Sequence, residues 1–216
     1  MDPGPPRVKG RSYDASRRRA EAARTRARVL DVAKDMLLAD GYAATSVAAV
    51  ARSAGVSPEL VYKAFGGKPG LVREMVRLGL LGAGPVPAPD RSDEIAATDI
   101  DARSLLRAWT QLATEVSPRT SPIMLLVKTA AATDADLAGL LQQVSAETLE
   151  RMRLNAERLT RHAGVRGDLT VEQIRDVLWS YVSPELYDVL VNQRGWSIER
   201  YRDFLFRGMS AQLLEG

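Results

Sequence analysis

Apolar residues recur at intervals of three and four along most of the chain, which is the period of a helix that buries one face. The first such stretch predicts a helix from about Ser16 to Ala39, because Gly41 follows it and glycine is favoured just past a helix end. No segment shows the sustained alternation that indicates a strand. The pattern predicts an all-α fold, with further helices at about 46–54, 58–64, 68–81, 101–115, 122–132, 134–163, 170–182, 184–192 and 197–214.

Two segments rich in proline and glycine interrupt this pattern. Residues 1–16 contain three prolines, two glycines and several basic residues, which predicts a disordered basic arm. Residues 82–90 predict a linker. We therefore expect a three-helix domain at 17–67 and a larger helical domain at 68–216, connected by the helix at 68–81.

The charge is unevenly distributed, although the net charge is only +3. Residues 1–81 carry 15 Lys or Arg against 8 Asp or Glu, whereas residues 82–216 carry 15 against 19. A basic N-terminal third on a mildly acidic body is typical of a nucleic-acid-binding module joined to a second module. A GC-rich coding bias explains why arginine outnumbers lysine 25 to 5, but it does not explain this asymmetry.

The composition excludes several classes of chemistry. The 216 residues include no cysteine and one histidine, His162, which excludes disulfides, thiol nucleophiles and histidine-based triads. Asp134 and Asp136 have no companion ligands and indicate a helix start. No apolar run approaches the roughly 18 residues that span a bilayer, and the first residues lack the apolar region of a secretory signal. We predict no catalytic residue, metal or cofactor, no membrane association and a cytoplasmic location.

One stretch of the N-terminal third has the pattern of a helix-turn-helix. Thr45 and Ser46 are capping residues for its first helix, and the turn Gly55–Ser57 separates the two helices. Pro58 stands at the first position of the second helix, where its missing N–H costs nothing. The N-terminal residues of such a second helix lie against base edges in the major groove of DNA.

The motifs of this stretch continue on both sides. They are a glycine and an aromatic residue after the first helix, a Thr-Ser cap, an Ala-Gly-Val-Ser turn, a Tyr-x-x-Phe helix end and a following lysine. Together they resemble the DNA-binding domain of TetR-family transcriptional regulators, from roughly Thr25 to Val76. The resemblance implies a homodimeric, effector-responsive repressor that binds a pseudo-palindromic operator in double-stranded DNA.

The resemblance also implies residues that contact DNA. Thr45 stands where the family contacts a phosphate at a helix start, and Tyr62 and Lys68 match a tyrosine and a lysine that contact the DNA backbone. The alternatives are a packed Tyr62 and a solvated helix end at Arg17–Arg19. The full predicted set is Thr45, Ser46, Ser57, Pro58, Glu59, Tyr62, Lys63, Lys68, Arg17 and Arg18.

Three positions depart from the family's pattern. Ala64 stands where histidine is frequent, Glu59 stands where glycine is common, and Pro58 removes a donor. Glu59 either accepts a hydrogen bond from a cytosine amino group or repels a phosphate. The preferred base sequence is therefore not predicted.

The body of such regulators forms the dimer interface and usually a ligand cavity. The last two helices are expected to pair with a second subunit through Leu178, Val182, Leu186, Leu190, Phe204, Leu205, Met209 and Leu213. Burial of these residues within one subunit is the alternative. The expected cavity residues are Trp109, Leu112, Met124, Val127, Trp179 and Tyr187, with ordinary core packing as the alternative. An anionic effector would add Arg107, Lys128 and Arg153.

Two other functions stay open at this stage. A sequence-independent architectural protein would use the basic arm and the arginine-rich first helix, and its binding would depend steeply on salt. A hydrolase would have to rely on Asp and Glu alone, because the sequence lacks a phosphate-binding glycine loop and offers one histidine.

Overall fold

The computed structural model describes residues 10–215, with side chains from Ser16 onwards. These residues form two compact units, the first of which ends at Leu71 and the second of which begins at Val72. Helices dominate both units, and within 10–215 the extended pairing is limited to an isolated bridge between Val165 and Leu214. The predicted all-α class is confirmed.

The first unit begins with a long helix that is followed by two short ones. Its elements are α1 (Gly10–Ala44), α2 (Val47–Ser53), α3 (Pro58–Phe65) and the first residues of α4 (Lys68–Gly79). Residues 10–15, which the sequence places in the arm, are already helical, and residues 1–9 lie outside the described part of the chain. The helical geometry of α1 is broken at Gly41, where φ is 82°, as the sequence predicts.

The core of the first unit is formed by apolar side chains from its helices. Buried residues of α1 before the break at Gly41 recur at the helical period, and they are Val29, Leu30, Ala33 and Leu37. α2 packs against both α1 and α3 and contributes Val47, Val50 and Ala51. The small side chain of Ala51, which is fully buried, allows a close approach of the packed helices.

The second unit is a helical body that contains the rest of α4. Its further elements are α5 (Ala88–Ala96), α6 (Ala102–Ala130), α7 (Ala135–Leu159), α8 (Val171–Tyr181), α9 (Pro184–Tyr187), a π-helical segment (Asp188–Gln193) and α10 (Ile198–Leu213). α7 packs against α6 and α8, and α6 also packs against α9 and α10. No helix within residues 10–215 is long and apolar enough to cross a membrane.

The expected linker at 82–90 is wrong in its last three residues, because α5 begins at Ala88. The backbone N–H of Ala88 donates to the Leu80 carbonyl at 2.8 Å, which fixes the helix start. Ala88 and Ser92 are the buried residues of α5, and the Ser92 hydroxyl bonds the buried Asn155 amide oxygen at 3.2 Å. A buried face made of alanine and serine gives little hydrophobic periodicity, so the sequence pattern did not indicate this helix.

The two helices expected at 101–115 and 122–132 are one continuous helix, α6, which runs through Pro118 and Pro122. Each proline removes one backbone hydrogen bond and disfavours helix in isolation. Packing compensates, because α6 is buried on both sides of the prolines, through Leu106 and Trp109 before them and Ile123 and Val127 after them. The tertiary environment therefore overrides the local signal.

Candidate functional site

The second helix of the helix-turn-helix, α3, has well-defined ends. The Ser57 hydroxyl accepts a hydrogen bond from the Leu60 N–H at 3.3 Å, and Pro58 follows at the first helical position. Gly66 ends the helix with φ at 78°, a left-handed conformation that glycine adopts without strain. All these local signals were present in the sequence.

The outer face of α3 is exposed and carries mainly polar or amphipathic side chains. Val61 is the buried residue of α3, and Tyr62 is 58% exposed, which excludes core packing as its role. The tyrosine ring lies close to Gly67, where a Cβ atom would be 3.2 Å from Tyr62 Cε1. We call this surface the α3 face. Its exposed residues are Ser57, Pro58, Glu59, Leu60, Tyr62 and Lys63.

Glu59 is a negative charge on the α3 face. Hydrogen bonds from its own backbone N–H and then from the Ser57 hydroxyl lower the pKa of this carboxyl group. The side chain is therefore ionised at neutral pH and is an acceptor at the start of the helix, where negative charge is also favoured by the helix dipole.

Thr45 has a different role from the one predicted. Ser46 alone caps α2, because its hydroxyl accepts the Ala49 N–H at 3.1 Å. Thr45 is 2% exposed and its hydroxyl donates to the Gly41 carbonyl at 2.9 Å. This corrects both the cap and the phosphate contact predicted for the Thr45 hydroxyl, which instead closes the turn after α1.

Lys68 is also engaged inside the domain. Its Nζ donates to the carbonyls of Tyr42 and Thr45 at 2.6 and 3.0 Å and lies 3.9 Å from the centre of the Tyr42 ring. These contacts hold the turn between α1 and α2, and the phosphate contact predicted for Lys68 stays a prediction.

Two arginines of α1 contact the helix-turn-helix, although neither is among the predicted site residues. Arg26 Nη1 donates to the Ala64 carbonyl at 2.7 Å, and Arg28 Nε donates to the Ala54 carbonyl at 3.0 Å. Both acceptors lie at the carboxyl ends of helices. The periodicity shows which face of α1 is buried but not which carbonyl a long side chain reaches. Arg17 and Arg18, by contrast, are exposed near the start of α1.

The predicted cavity residues are mostly core residues of the body. Trp109, Leu112, Val127 and Tyr187 are buried and Met124 is half-buried, whereas Trp179 is 45% exposed. Trp179 is therefore a surface residue, which corrects its assignment to a cavity. The two grooves described on the body lie along α10, and none of these six side chains lines them.

The basic residues considered for an anionic effector have partners elsewhere. The Arg107 guanidinium lies 4.1 Å from the centre of the Phe206 ring, Lys128 pairs with Glu185, and Arg153 pairs with carboxylates of its own helix. These contacts give no support to a buried anion site.

Four of the eight predicted interface residues are buried within the chain's own core. Leu178, Leu205, Met209 and Leu213 are at most 3% exposed and belong to the main cluster of the body. Leu186 and Leu190 are half-buried against the same cluster, and Val182 is half-buried. The prediction was wrong for the buried four, because a residue fully covered by its own chain has no surface for a partner. Phe204 is 37% exposed and stays a candidate.

Two partly exposed aromatic side chains lie next to Phe204. The Phe204 ring is 5.6 Å from that of Trp196 and 6.1 Å from that of Tyr181, and Arg200 lies over Trp196 at 4.0 Å. An open groove of about 680 Å³ runs past Trp196, Phe204 and Gly208. The term aromatic face denotes Tyr181, Trp196 and Phe204.

Comparisons with known proteins identify the N-terminal domain. Residues 29–75 match the family model described as bacterial regulatory proteins, tetR family. No curated protein matches the chain at a significant level.

Solved structures resemble the chain over most of its length. NalD, the secondary repressor of the MexAB-OprM multidrug efflux pump in Pseudomonas aeruginosa, is 20% identical over 91% of this chain and 98% of its own, with a TM-score of 0.70. A complex of SmeT with triclosan is 19% identical over 88% and 92%, with a TM-score of 0.71. A candidate transcriptional regulator from Saccharomonospora viridis, in complex with choline, is 19% identical over 90% and 100%, with a TM-score of 0.67.

The family match lies on the residues that form α2, α3 and their turn, and the structural likeness extends over the helical body. Residues 29–75 therefore match the tetR family of bacterial regulatory proteins, and the chain as a whole has the fold of the solved regulators that it resembles.

Proposed function

We propose that the chain is a cytoplasmic, homodimeric repressor that binds a pseudo-palindromic DNA operator and releases it when a small molecule enters the body. DNA binding is assigned to residues 17–67, and effector binding and dimerisation to residues 68–216. The observation that carries the proposal is the α3 face, which is exposed along its length on a helix that buries Val61 alone. Such a helix can enter a major groove without losing its own packing.

The side chains proposed to contact DNA are exposed, on the helix-turn-helix or near the start of α1. Ser57, Glu59, Tyr62 and Lys63 extend from the α3 face, and Ser46 lies at the exposed start of α2. Tyr62 and Lys63 supply a hydroxyl and an ammonium group for phosphates, while Ser57 and Glu59 lie at the end of α3 that reads base edges. Arg17 and Arg18 are proposed contacts for the DNA backbone or minor groove.

Selection from a random-sequence duplex library tests the DNA-binding function. We expect the recovered duplexes to contain two inverted half-sites whose centres are about one helical turn, roughly 34–36 Å, or a multiple of it apart. This spacing follows from a two-fold dimer with one α3 per half-site. Recovery of duplexes without a shared sequence would support the architectural alternative instead.

The aromatic face supports the homodimer. It presents a tyrosine from α8, a tryptophan from the segment before α10 and a phenylalanine from α10. Aromatic residues are enriched at interfaces, and exposed aromatic clusters mark association sites. The charges beside Phe204 are of both signs, Arg200, Asp203 and Arg207, which suits an isologous interface that brings a surface against its own copy.

Trp109 supports the effector site. Its indole Nε1 is buried and has no hydrogen-bond partner, although it lies in the apolar cluster that also contains Tyr187 and Tyr201. A buried donor without a partner costs roughly 1–3 kcal/mol, which an acceptor on a bound molecule would recover. The buried polar residues described for the body are all uncharged. We therefore propose a largely apolar, uncharged effector that carries an acceptor oxygen.

The Trp109→Phe variant tests this effector proposal. Phenylalanine keeps an aromatic ring but removes the N–H donor, so binding of an uncharged probe should weaken about fivefold, the value of one hydrogen bond of roughly 1 kcal/mol. Triclosan, the ligand in the SmeT complex, is the uncharged probe, and choline, the ligand in the Saccharomonospora viridis complex, is the charged one. The measurement is calorimetric titration, with Trp179→Phe as the surface control. Binding of choline alone, or equal triclosan binding by wild type and Trp109→Phe, would contradict the proposal.

A further inference from the structure

The carboxyl end of α3 is held by a side chain from α1. Arg26 Nη1 donates to the Ala64 carbonyl at 2.7 Å, and the guanidinium lies 4.3 Å from the centre of the Phe65 ring. The last carbonyls of a helix have no partner within it, and a cation beside them also interacts favourably with the helix dipole. Arg26 therefore makes a charge-assisted hydrogen bond and a cation–π contact at one end of the helix.

The contacts of Arg26 matter because α3 buries few side chains. It is eight residues long, Val61 is its buried residue, and Ala64 and Phe65 are half-buried. A short helix with one buried side chain can tilt or rotate at little cost in hydrophobic contact. Arg26 contacts the residues that precede the Gly66 turn, and so it restricts this motion at the end opposite Ser57.

Arg28 makes the corresponding contact with α2. Its Nε donates to the Ala54 carbonyl at 3.0 Å, at the carboxyl end of that helix. Side chains two positions apart on a helix point in different directions. Arg26 and Arg28 therefore diverge from α1 and hold the two helices of the helix-turn-helix separately.

We infer that Arg26 is a positioning residue for DNA recognition: it sets the orientation of α3 for base contacts and is not itself a phosphate contact. The inference rests on the proposed DNA-binding function. It predicts that loss of Arg26 affects sequence-specific and non-specific DNA binding differently. Loss of Arg26 should weaken binding that depends on base contacts, whereas binding to arbitrary DNA through phosphates should change little.

The test compares Arg26→Met with Arg24→Met, which removes an exposed arginine two positions earlier on the same helix. Each protein is titrated by fluorescence anisotropy with the duplex that wild type selects from a random library and with a shuffled duplex, at about 50 and about 200 mM salt. We expect Arg26→Met to bind the selected duplex about tenfold more weakly, as for one charge-assisted hydrogen bond, and the shuffled duplex within about twofold of wild type. The salt slope should stay unchanged. Arg26→Lys, which keeps a cation but loses the planar stacking group, should recover part of the affinity.

Three results would overturn the inference. A salt slope smaller by about 0.9 would show that Arg26 neutralises a phosphate. Equal weakening for the selected and shuffled duplexes would show a general loss of folded protein, which circular dichroism measures independently. Unchanged binding to both duplexes would show that the contacts of Arg26 have no role in DNA recognition. If wild type selects no duplex, the proposed DNA-binding function fails. Amide exchange of residues 58–67 then tests whether Arg26 holds the end of α3. Faster exchange in Arg26→Met than in Arg24→Met supports this role, and equal exchange overturns it.

Discussion

The Phe204→Asp variant is expected to be monomeric at concentrations where wild type is a dimer, with a dimer dissociation constant raised by at least about 100-fold. Phe204 contacts both Trp196 and Tyr181 within the aromatic face and borders the groove on α10. A central aromatic anchor typically contributes more than about 2 kcal/mol to an interface, and a carboxylate in its place adds a desolvation cost. Because Phe204 is 37% exposed, the substitution should leave the fold of the body intact.

Sedimentation velocity measures this effect directly. Leu38→Asp is the matched control, since Leu38 is similarly exposed, at 40%, but lies on α1 outside the aromatic face. The control should remain dimeric. If wild type and Phe204→Asp have the same dissociation constant, the aromatic face is not the subunit interface.

The Gly70→Ala variant is expected to destabilise the DNA-binding unit by about 3 kcal/mol, near the upper end for an overpacked site. A Cβ atom on Gly70 would overlap the Phe65 carbonyl. The carbonyl belongs to the backbone and the position of a Cβ atom is fixed by its own backbone. No side-chain rotation therefore relieves the clash, and the end of α3 must move away from α4. The displacement should also abolish tight DNA binding, because α3 carries the exposed face.

Thermal unfolding followed by circular dichroism, together with amide exchange of residues 10–71, measures this loss. Gly84→Ala is the control, since a Cβ atom there meets nothing within 4 Å and its φ is not positive. Equal unfolding temperatures for the two variants would show that the junction of α3 and α4 tolerates a side chain.

Much of the DNA-binding unit could be predicted because its signals are local. Gly41, Ser57, Pro58 and Gly66 act on the backbone within a few residues of their own positions, through positive φ, capping or a fixed φ. Thr45 and Lys68 could not be assigned in this way. A hydroxyl or an ammonium group suits a phosphate as well as it suits a carbonyl, and only the folded turn shows which carbonyls these two side chains bond.

The body was less predictable, for reasons of packing. The helical period of Leu178, Leu205, Met209 and Leu213 indicates a buried face, but it does not distinguish the chain's own core from a subunit interface. The partly exposed residues of the aromatic face, and not the helical period, indicate where the proposed subunit interface lies. Pro118 likewise indicates a helix end when read alone, whereas burial on both sides of it maintains α6.

Titration of wild type with its selected duplex and with a shuffled duplex measures whether the protein recognises a DNA sequence. Fluorescence anisotropy at two salt concentrations gives both the specificity ratio and the salt slope. We expect binding to the selected duplex to be tighter by about 10³-fold or more, with two subunits per pair of half-sites. Equal, strongly salt-dependent binding to both duplexes would contradict this expectation and would show a protein that recognises the DNA backbone alone.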